Sequence, residues 1–191
     1  MPPANQPEYP FPTLPDYLAP GLGLVLVGIN PSIYAVQQGH YFARPSNRFW
    51  PALSRSRLSQ SIRLALGRDR LAPADDGALL QFGIGFTDIV KVPSNSIAHL
   101  RPADYREWAP RLLRRLETYA PRLACFHGIT GYRAFVQYGL GEVQSDWSLG
   151  LQSRRLGPTR VFVVPNPSGA NAHFTLADQV AWYDSLATYL Q

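Results

Sequence analysis

The segment Leu22-Gly23-Leu24-Val25-Leu26-Val27, followed by Gly28-Ile29-Asn30-Pro31, decides the fold. A short apolar run that ends in Gly or Pro is typical of a parallel strand covered on both faces. The run Val161–Val164 has the same character and leads into Asn166-Pro167-Ser168-Gly169. Both polar segments therefore follow the carboxyl ends of predicted strands, where open α/β sheets bind their ligands. Each places an amide side chain in a proline-stiffened turn, which suits a flat polar ligand such as a nucleobase.

Strands and helices are predicted to alternate along the rest of the chain. Residues 1–20 contain seven prolines and are expected to run extended across the domain near Tyr17. We predict a long loop at residues 30–46 and a helix that Ser46 caps. The other predicted strands are 84–90, 123–126 and the paired segments 148–156 and 159–164. The other predicted helices are 75–82, 102–119, 131–138 and one capped by Thr175. This order predicts an α/β fold, a three-layer α/β/α sandwich around a short, mainly parallel central sheet.

Length and composition favour one globular domain. The chain has 191 residues, of which 46% are hydrophobic, so we expect a single domain over residues 1–191 with residues 1–13 as a proline-rich extension. No stretch approaches the roughly 20 apolar residues that cross a bilayer. Cys125 is the only cysteine, which excludes an internal disulfide and a cysteine-bound metal cluster. We expect Cys125 to be a core residue, and the protein to be cytoplasmic and associated with the bacterial nucleoid.

The charge is compatible with a nucleic-acid partner. The formal net charge is +5, and Lys91 is the only lysine among 18 basic residues. Arginine matches phosphate geometry well, and a basic surface favours nucleic acid. A general preference for arginine on a solvated surface explains the same composition, so charge alone does not decide between the two.

Five motifs, taken together, resemble one family. Leu18-Ala19-Pro20-Gly21, Gly28-Ile29-Asn30-Pro31, Asn47-Arg48-Phe49-Trp50, Gly85-Phe86-Thr87 and Asn166-Pro167-Ser168-Gly169 occur in the order and spacing of the mismatch-specific uracil- and thymine-DNA glycosylases. The resemblance covers roughly residues 14–190. It implies a monofunctional enzyme that excises uracil and other mismatched or damaged pyrimidines from double-stranded DNA. The base is flipped into a pocket, the N-glycosidic bond is hydrolysed, and an abasic site is left.

Two residues are the candidates for catalysis. Asn30 matches the family residue that positions the attacking water, although an asparagine that closes the turn before Pro31 explains the same pattern. Asp88 stands where relatives often have a neutral or basic residue. If Asp88 faces the pocket, it supplies a carboxylate that accepts a proton or stabilises positive charge on the sugar. The alternative is a strand-end aspartate that pairs with Lys91 or caps a turn.

The resemblance also implies a base-binding pocket. Phe42 matches the aromatic residue that stacks on the flipped base, with a core phenylalanine as the alternative. Asn166 matches the residue that faces the polar edge of the base. Ala35 replaces a bulky aromatic of strict uracil enzymes and leaves room for a thymine methyl group. The resemblance implies that Gly28, Ile29, Pro31 and Ser32 of the first loop complete the pocket, and that backbone N–H groups of this loop add hydrogen bonds to the base.

The last motif is predicted to contact the DNA around the vacated position. Relatives insert a leucine or arginine there, whereas this chain has Gly169, Ala170 and Asn171 after Ser168. A wedge this small is expected to hold the flipped state less firmly, and its residues are also expected near the phosphates.

No cofactor is expected, and the predicted partner is a damaged duplex. The histidines show no metal-ligand spacing, and the resemblance implies neither metal nor organic cofactor. His127 and His173 are either phosphate contacts or ordinary loop histidines. We expect a monomer that binds double-stranded DNA containing a mismatched or damaged base, and no membrane. The alternative to the enzyme is a catalytically inert nucleic-acid-binding domain of the same fold.

Overall fold

Five strands form one sheet in the computed structural model, which describes residues 9–190. The strands are β1 (Leu24–Gly28), β2 (Ile84–Asp88), β3 (Leu123–His127), β4 (Gly150–Leu156) and β5 (Thr159–Val164). Their order across the sheet is β2-β1-β3-β5-β4. Four strands are parallel, and only the edge strand β4 runs antiparallel, against β5. The sheet is therefore mainly parallel, as predicted.

Helices cover both faces of this sheet. They are α1 (Ile33–Gln38), α2 (Phe49–Arg55), α3 (Gln60–Leu66), α4 (Pro102–Tyr119), α5 (Ile129–Gly139) and α6 (Leu176–Ala187). Alternate residues of β1 enter two separate cores, Leu24 and Leu26 on one face, Val25 and Val27 on the other. The first core packs against α1, α2, α3 and α6, and the second against α4 and α5. The predicted three-layer sandwich is confirmed.

The predicted long loop at residues 30–46 is wrong, because six of these residues form α1. The Ser32 hydroxyl accepts a hydrogen bond from the Ala35 backbone N–H at 3.0 Å and so caps the helix. Gly39, with φ of 75°, ends it in the left-handed conformation. A serine and a glycine thus mark the two ends of this short helix in the sequence.

The predicted N-terminal cap of α2 is wrong, and that of α6 is confirmed. Ser46 does not cap α2, because the Asn47 side chain accepts the hydrogen bond from the Phe49 backbone N–H at 2.9 Å. At α6 the Thr175 hydroxyl accepts from the Asp178 N–H, and the Asp178 carboxylate accepts from the Thr175 N–H. This reciprocal capping box is the predicted one.

The segment before β1 crosses the sheet where the sequence predicts it. Tyr17 and Phe86 exchange both backbone hydrogen bonds, at 2.9 and 3.0 Å, in an antiparallel bridge. A Cβ atom at Gly85 would lie 2.3 Å from the Tyr17 carbonyl oxygen, so only glycine allows this crossing. Residues 1–8 of the predicted extension lie outside the described residues.

The core and the helices each give one further finding. Cys125 is fully buried in the core, as predicted. Within residues 9–190, no helix is both long and apolar enough to cross a bilayer.

Replacing Gly85 tests the crossing. We expect Gly85→Ala to lower the free energy of unfolding by ~1–3 kcal/mol, because the new methyl group forces the Tyr17 backbone away from β2. Urea denaturation measures the change. Gly23→Ala is the matched control, since its Cβ atom would meet only the Gly83 carbonyl oxygen at 3.7 Å. An equally small effect of both substitutions would contradict the close contact.

Candidate active site

One cavity of about 500 Å³ opens at the carboxyl edge of the parallel strands. Gly28, Asp88 and His127, the last residues of β1, β2 and β3, line it, and Asn166 lies two residues beyond β5. Open α/β sheets bind ligands at this edge because successive loops diverge there. The volume is within the range typical of small-ligand sites.

The cavity brings together residues that are far apart in the sequence. Among the residues predicted for catalysis, base binding and DNA contact, all but Gly169 line it: Gly28, Ile29, Asn30, Pro31, Ser32, Ala35, Phe42, Asp88, Asn166, Ser168, Ala170 and Asn171. Gly169 packs instead against Ser46, whose carbonyl oxygen would lie 2.6 Å from a Cβ atom at that position. The glycine therefore has a packing role that its place in the motif did not reveal.

Hydrogen bonds fix the orientation of the Asn30 amide. Its Nδ2 donates to the Val92 carbonyl at 2.9 Å, to the Ser94 hydroxyl at 2.9 Å and to the Pro31 carbonyl at 3.2 Å. Two of these partners are carbonyls, which only accept, so the amide nitrogen must face them. Oδ1 accepts no hydrogen bond from the described residues and is available to a water molecule in the cavity.

Asp88 faces the cavity from the end of β2, beside Gly28 of β1. These two residues are direct neighbours in the parallel register of the strands. A Cβ atom at Gly28 would lie 2.4 Å from Asp88 Oδ1, so the glycine makes room for the carboxylate. Asp88 Oδ2 is enclosed and accepts no hydrogen bond from any described group. A buried carboxylate with this few hydrogen bonds is unusual and marks the group as a functional candidate.

Burial sets the protonation behaviour of Asp88. Removal from water raises the pKa of its carboxyl group to about 6, while the Lys91 ammonium opposes the rise. Lys91 Nζ is 3.6 Å from Asp88 Oδ2, which is an ion-pair distance but not a hydrogen bond. The structure therefore combines the two alternatives left by the sequence. Asp88 lies near Lys91 and also borders the cavity.

Phe42 forms an aromatic wall of the cavity in a strained backbone conformation. Its φ of 53° is left-handed, which is uncommon for a residue other than glycine. Its ring stacks on Phe49 with centroids 4.2 Å apart and planes at 19°. The preceding residue, Tyr41, is anchored because its carbonyl accepts from Trp50 Nε1 at 2.8 Å and its N–H donates to Asp76 at 2.9 Å. These contacts hold the Phe42 ring at the cavity.

The Asn166 amide is also oriented by the backbone. Its Oδ1 accepts from the Ser168 N–H at 3.0 Å, and its Nδ2 donates to none of the described groups. This amide therefore offers a donor, whereas the Asn30 amide offers an acceptor. The two asparagines at the cavity have complementary hydrogen-bonding roles.

Arg48 braces the loop of residues 166–171 against the start of α2. Its guanidinium donates to the Asn171 carbonyl at 2.9 Å and to the Ser168 carbonyl at 3.4 Å, and its backbone N–H donates to the Pro167 carbonyl at 2.8 Å. The Asn171 side chain adds a hydrogen bond to the Asn166 carbonyl at 2.9 Å. Ala170 at the tip is exposed. The loop thus presents a small apolar tip on a firmly held base.

Ser32 and Ala35 lie on the side of the cavity formed by α1. The Ser32 hydroxyl is occupied as the acceptor of the helix cap, which its sequence position did not indicate. Ala35 is buried at the cavity wall, so its methyl group limits the space on that side less than a larger side chain would.

His127 does not contact phosphate, because it is buried at the end of β3. Its Nδ1 must donate to the Val27 carbonyl at 3.2 Å, so Nε2 accepts from the Tyr183 hydroxyl at 3.1 Å. Burial lowers the pKa of the imidazole to about 4. The ring is therefore neutral near physiological pH and contributes shape to the cavity. His173, in contrast, is exposed beyond the 166–171 loop.

Sequence reasoning missed two parts of the site. Arg48 was part of a motif, but its contacts are about 120 residues away and left no local pattern. Ser94 lies between the predicted strand 84–90 and the predicted helix 102–119, where no site residue is predicted. Its hydroxyl accepts from the Asn30 amide, and it pairs with Ser32 in an isolated parallel bridge. The serines near residues 94–96 were the only signal that this loop has polar contacts to make.

The described residues contain no group of three or more His, Cys, Asp or Glu side chains that could hold a metal ion. The polar side chains that line the cavity include the amides of Asn30 and Asn166, the Asp88 carboxylate, the Arg44 guanidinium and the neutral His127 ring. The two amides offer an acceptor and a donor, and Asp88 offers a negative charge. Such a set can bind a planar heterocycle, direct a water molecule and stabilise a developing cation.

One family model matches nearly the whole described chain. The family model described as "Uracil DNA glycosylase superfamily" matches residues 15–189. The match begins two residues before the Tyr17 crossing, ends after α6 and includes every residue that lines the cavity except Leu14. The match identifies the superfamily. It does not distinguish the mismatch-specific branch from the other branches.

Replacing Asp88 tests whether burial of its charged carboxylate lowers the stability of the fold. Because its pKa is raised, the folded chain loses stability as pH rises from about 4 to about 6, and the loss persists at higher pH. We expect Asp88→Asn to be more stable than the wild type by ~1–3 kcal/mol at pH 7.5 and about equal at pH 4. Chemical denaturation at both pH values measures this. A variant that is less stable at pH 7.5 would contradict the assignment.

Proposed function

Since the chain belongs to the uracil DNA glycosylase superfamily, we propose that it removes uracil and other mismatched or damaged pyrimidines from double-stranded DNA. Members of the superfamily are DNA glycosylases, so the chain is a hydrolase that acts on N-glycosyl bonds in DNA. In the proposed reaction the target nucleotide is flipped into the cavity and an abasic site is left. The mismatch-specific branch is the proposed assignment within the superfamily.

The observation that carries the proposal is the arrangement of three polar groups around one cavity. Asn30 presents an acceptor, Asn166 presents a donor, and Asp88 presents a carboxylate, each from the end of a different strand. Base excision needs a hold on the base, a positioned water and stabilisation of a cationic sugar. The three groups can meet these three needs.

Asn166 gives the proposed site a preference between pyrimidines. Because the Ser168 N–H donates to its Oδ1, the orientation of the amide is fixed, and Nδ2 remains as a donor for the base. A carbonyl oxygen of uracil or thymine accepts this hydrogen bond. The exocyclic amino group of cytosine would instead face it as a second donor, which leaves both groups unsatisfied. The orientation of this amide therefore supports selection against normal cytosine.

Asn30 and Asp88 divide the chemistry at the sugar. The bond between C1′ and the base nitrogen breaks with its electron pair leaving on the base, and the sugar gains cationic character. The Asp88 carboxylate stabilises this cation electrostatically. Asn30 Oδ1 accepts a hydrogen bond from the water that attacks C1′, and a proton of that water passes to Asp88, since an amide cannot take it.

Base stacking and flipping use the aromatic wall and the 166–171 loop. Phe42, supported by Phe49, offers a ring face on which a flipped pyrimidine can stack. Ala170 is a small wedge, so it fills little of the space that the base vacates. We infer that the flipped state depends more on contacts inside the cavity than on the wedge.

The proposed reaction is monofunctional, without strand cleavage. Lyase activity of a bifunctional glycosylase requires an amine that attacks C1′. Lys91 is the only lysine of the chain, it is fully buried, and it does not line the cavity. The described residues therefore offer no lysine amine to the sugar.

A single-turnover assay on a U:G duplex tests the function. We expect alkali-labile sites with the wild type, a loss of ~10²–10³ in rate for Asn30→Ala, and a larger loss for Asp88→Asn. Below pH 6 the wild-type rate should fall about tenfold per pH unit, because Asp88 takes up a proton. Asp178→Asn, at the exposed capping box of α6, is the control.

The alternative of an inert binding domain predicts a different result. In that case the wild type would bind duplex DNA but release no base from any mismatched or damaged pyrimidine tested. Full activity of Asn30→Ala or Asp88→Asn would contradict the assigned roles while leaving the family activity in place.

Ala35 provides a test of substrate range. We expect Ala35→Tyr to retain most uracil excision and to lose ~10-fold or more of the activity on thymine, because the ring would occupy the space for a 5-methyl group. Ratios of single-turnover rates on U:G and T:G duplexes measure this. A parallel loss on both substrates would indicate general damage, so Ala35→Gly serves as the small control.

Borohydride trapping tests the monofunctional assignment. We expect no covalent complex between the wild type and an abasic or uracil-containing duplex, since Lys91 is enclosed. A trapped complex that disappears in Lys91→Arg would show that this lysine reaches the sugar and would contradict the assignment.

A further inference from the structure

Lys91, the only lysine of the chain, does not line the cavity and takes no direct part in the proposed reaction. Lys91 follows β2, three residues after Asp88, and its side chain has no exposed surface. Its own carbonyl is held by the Thr13 hydroxyl at 2.6 Å. A buried ammonium is costly unless it is paired, so its partners should reveal what it does.

The strongest partner of Lys91 is Asp16. Lys91 Nζ donates to Asp16 Oδ1 at 3.0 Å and to the Tyr41 hydroxyl at 3.2 Å. Asp88 Oδ2 is farther away, at 3.6 Å, and receives no hydrogen bond. Two carboxylates therefore share one ammonium, and the one at the cavity has the weaker contact.

Asp16 is held in place on both oxygens. The Thr87 hydroxyl donates to Oδ1 at 2.7 Å, and the Tyr9 hydroxyl donates to Oδ2 at 2.9 Å. Arg115 NH1 lies 3.4 Å from Oδ2. Although burial acts in the opposite direction, Lys91 and Arg115 keep the pKa of Asp16 below its usual range. Asp16 is thus a permanent anion that competes with Asp88 for Lys91.

The surroundings of Asp88 contain few other charges. Arg115 NH2 contacts the Asp88 carbonyl at 3.4 Å, and burial raises the pKa of the Tyr9 and Tyr41 hydroxyls, which are therefore neutral. His127 borders the same cavity as a neutral ring. Among residues 9–190, the charged or titratable groups that interact with Asp88 include Tyr9, Asp16, Tyr41, Lys91 and Arg115, and Arg44 lines the same cavity. Within the group formed by Asp16, Asp88, Lys91 and Arg115, two negative charges balance two positive ones when both carboxylates are ionised.

We propose that Lys91 and Asp16 are positioning residues that set the charge on Asp88, with Lys91 keeping the carboxylate ionised and Asp16 limiting how strongly Lys91 binds it. The inference rests on the proposed role of Asp88. A carboxylate paired fully with Lys91 would be a weak proton acceptor, whereas one without Lys91 would be protonated at neutral pH. Sharing the ammonium gives Asp88 an intermediate strength, which suits proton transfer near physiological pH.

Two substitutions should move the protonation of Asp88 in opposite directions. Lys91→Met removes the counter-charge, so the acid limb of the pH-rate profile should shift upward by about 1–3 pH units, with activity recovered at high pH. Asp16→Asn removes the competitor, so the limb should shift downward by about one pH unit. A substitution that merely loosens the fold would lower the rate at all pH values and would not produce opposite shifts.

The experiment combines two measurements on the full chain. Single-turnover base release is followed from pH 4.5 to 9, and ¹³C NMR of labelled aspartate carboxyl groups follows the titration of Asp88 without substrate. Asp75→Asn is the matched control, because Asp75 is a buried aspartate paired with Arg68 outside this network. We expect that control to leave both titrations unmoved.

Shifts of opposite sign in both measurements support the proposal. Shifts of the same sign, or an unmoved Asp88 titration in either variant, overturn it. If Lys91→Met does not fold, the Asp16→Asn variant tests the proposal by itself. A pKa of Asp88 that is unchanged or raised in Asp16→Asn is sufficient to overturn the proposal. Absence of base release by the wild type contradicts the proposed function separately, because the NMR titration reads the charge on Asp88 without any reaction.

Discussion

The parallel register of β1 and β2 is the constraint on which the site depends. It sets Gly28 directly beside Asp88 at the last position of each strand. Since Gly28 has no side chain, the carboxylate can lie against the backbone of β1 and still border the cavity. Asn30, two residues farther along the same chain, lines the same cavity. One strand pair thereby positions both candidate catalytic groups.

This placement is maintained against the preference of a carboxylate for water. Burial of Asp88 disfavours its charged form. The Lys91 ammonium counters that effect, and Asp16 limits how far it does so by binding the same ammonium. This network also joins separate parts of the fold, because Asp16 precedes β1, Lys91 follows β2 and Arg115 belongs to α4. Stability is lost at one group so that a charge is available at the cavity, which is a common feature of active sites.

Much of the fold was predictable from the sequence, because the four parallel strands are short, largely apolar runs that end in Gly, Pro or polar residues. The cavity followed from the rule that such strands end at one edge of the sheet. Local patterns did not reveal α1, whose Ile, Tyr and Val residues are weak helix formers. Contacts between distant segments also left no local pattern, as with Arg48 and the 166–171 loop, or Asp16 and Lys91.

The central claim is that the Asp88 carboxylate stabilises a cationic sugar, and binding of charged and neutral abasic analogues tests it most directly. Affinities are compared for duplexes that carry a cationic pyrrolidine or a neutral tetrahydrofuran at the abasic position. We expect the wild type to bind the cationic duplex at least ~10-fold more tightly, and Asp88→Asn to bind both about equally. A preference for the cation that is unchanged in Asp88→Asn would contradict the claim.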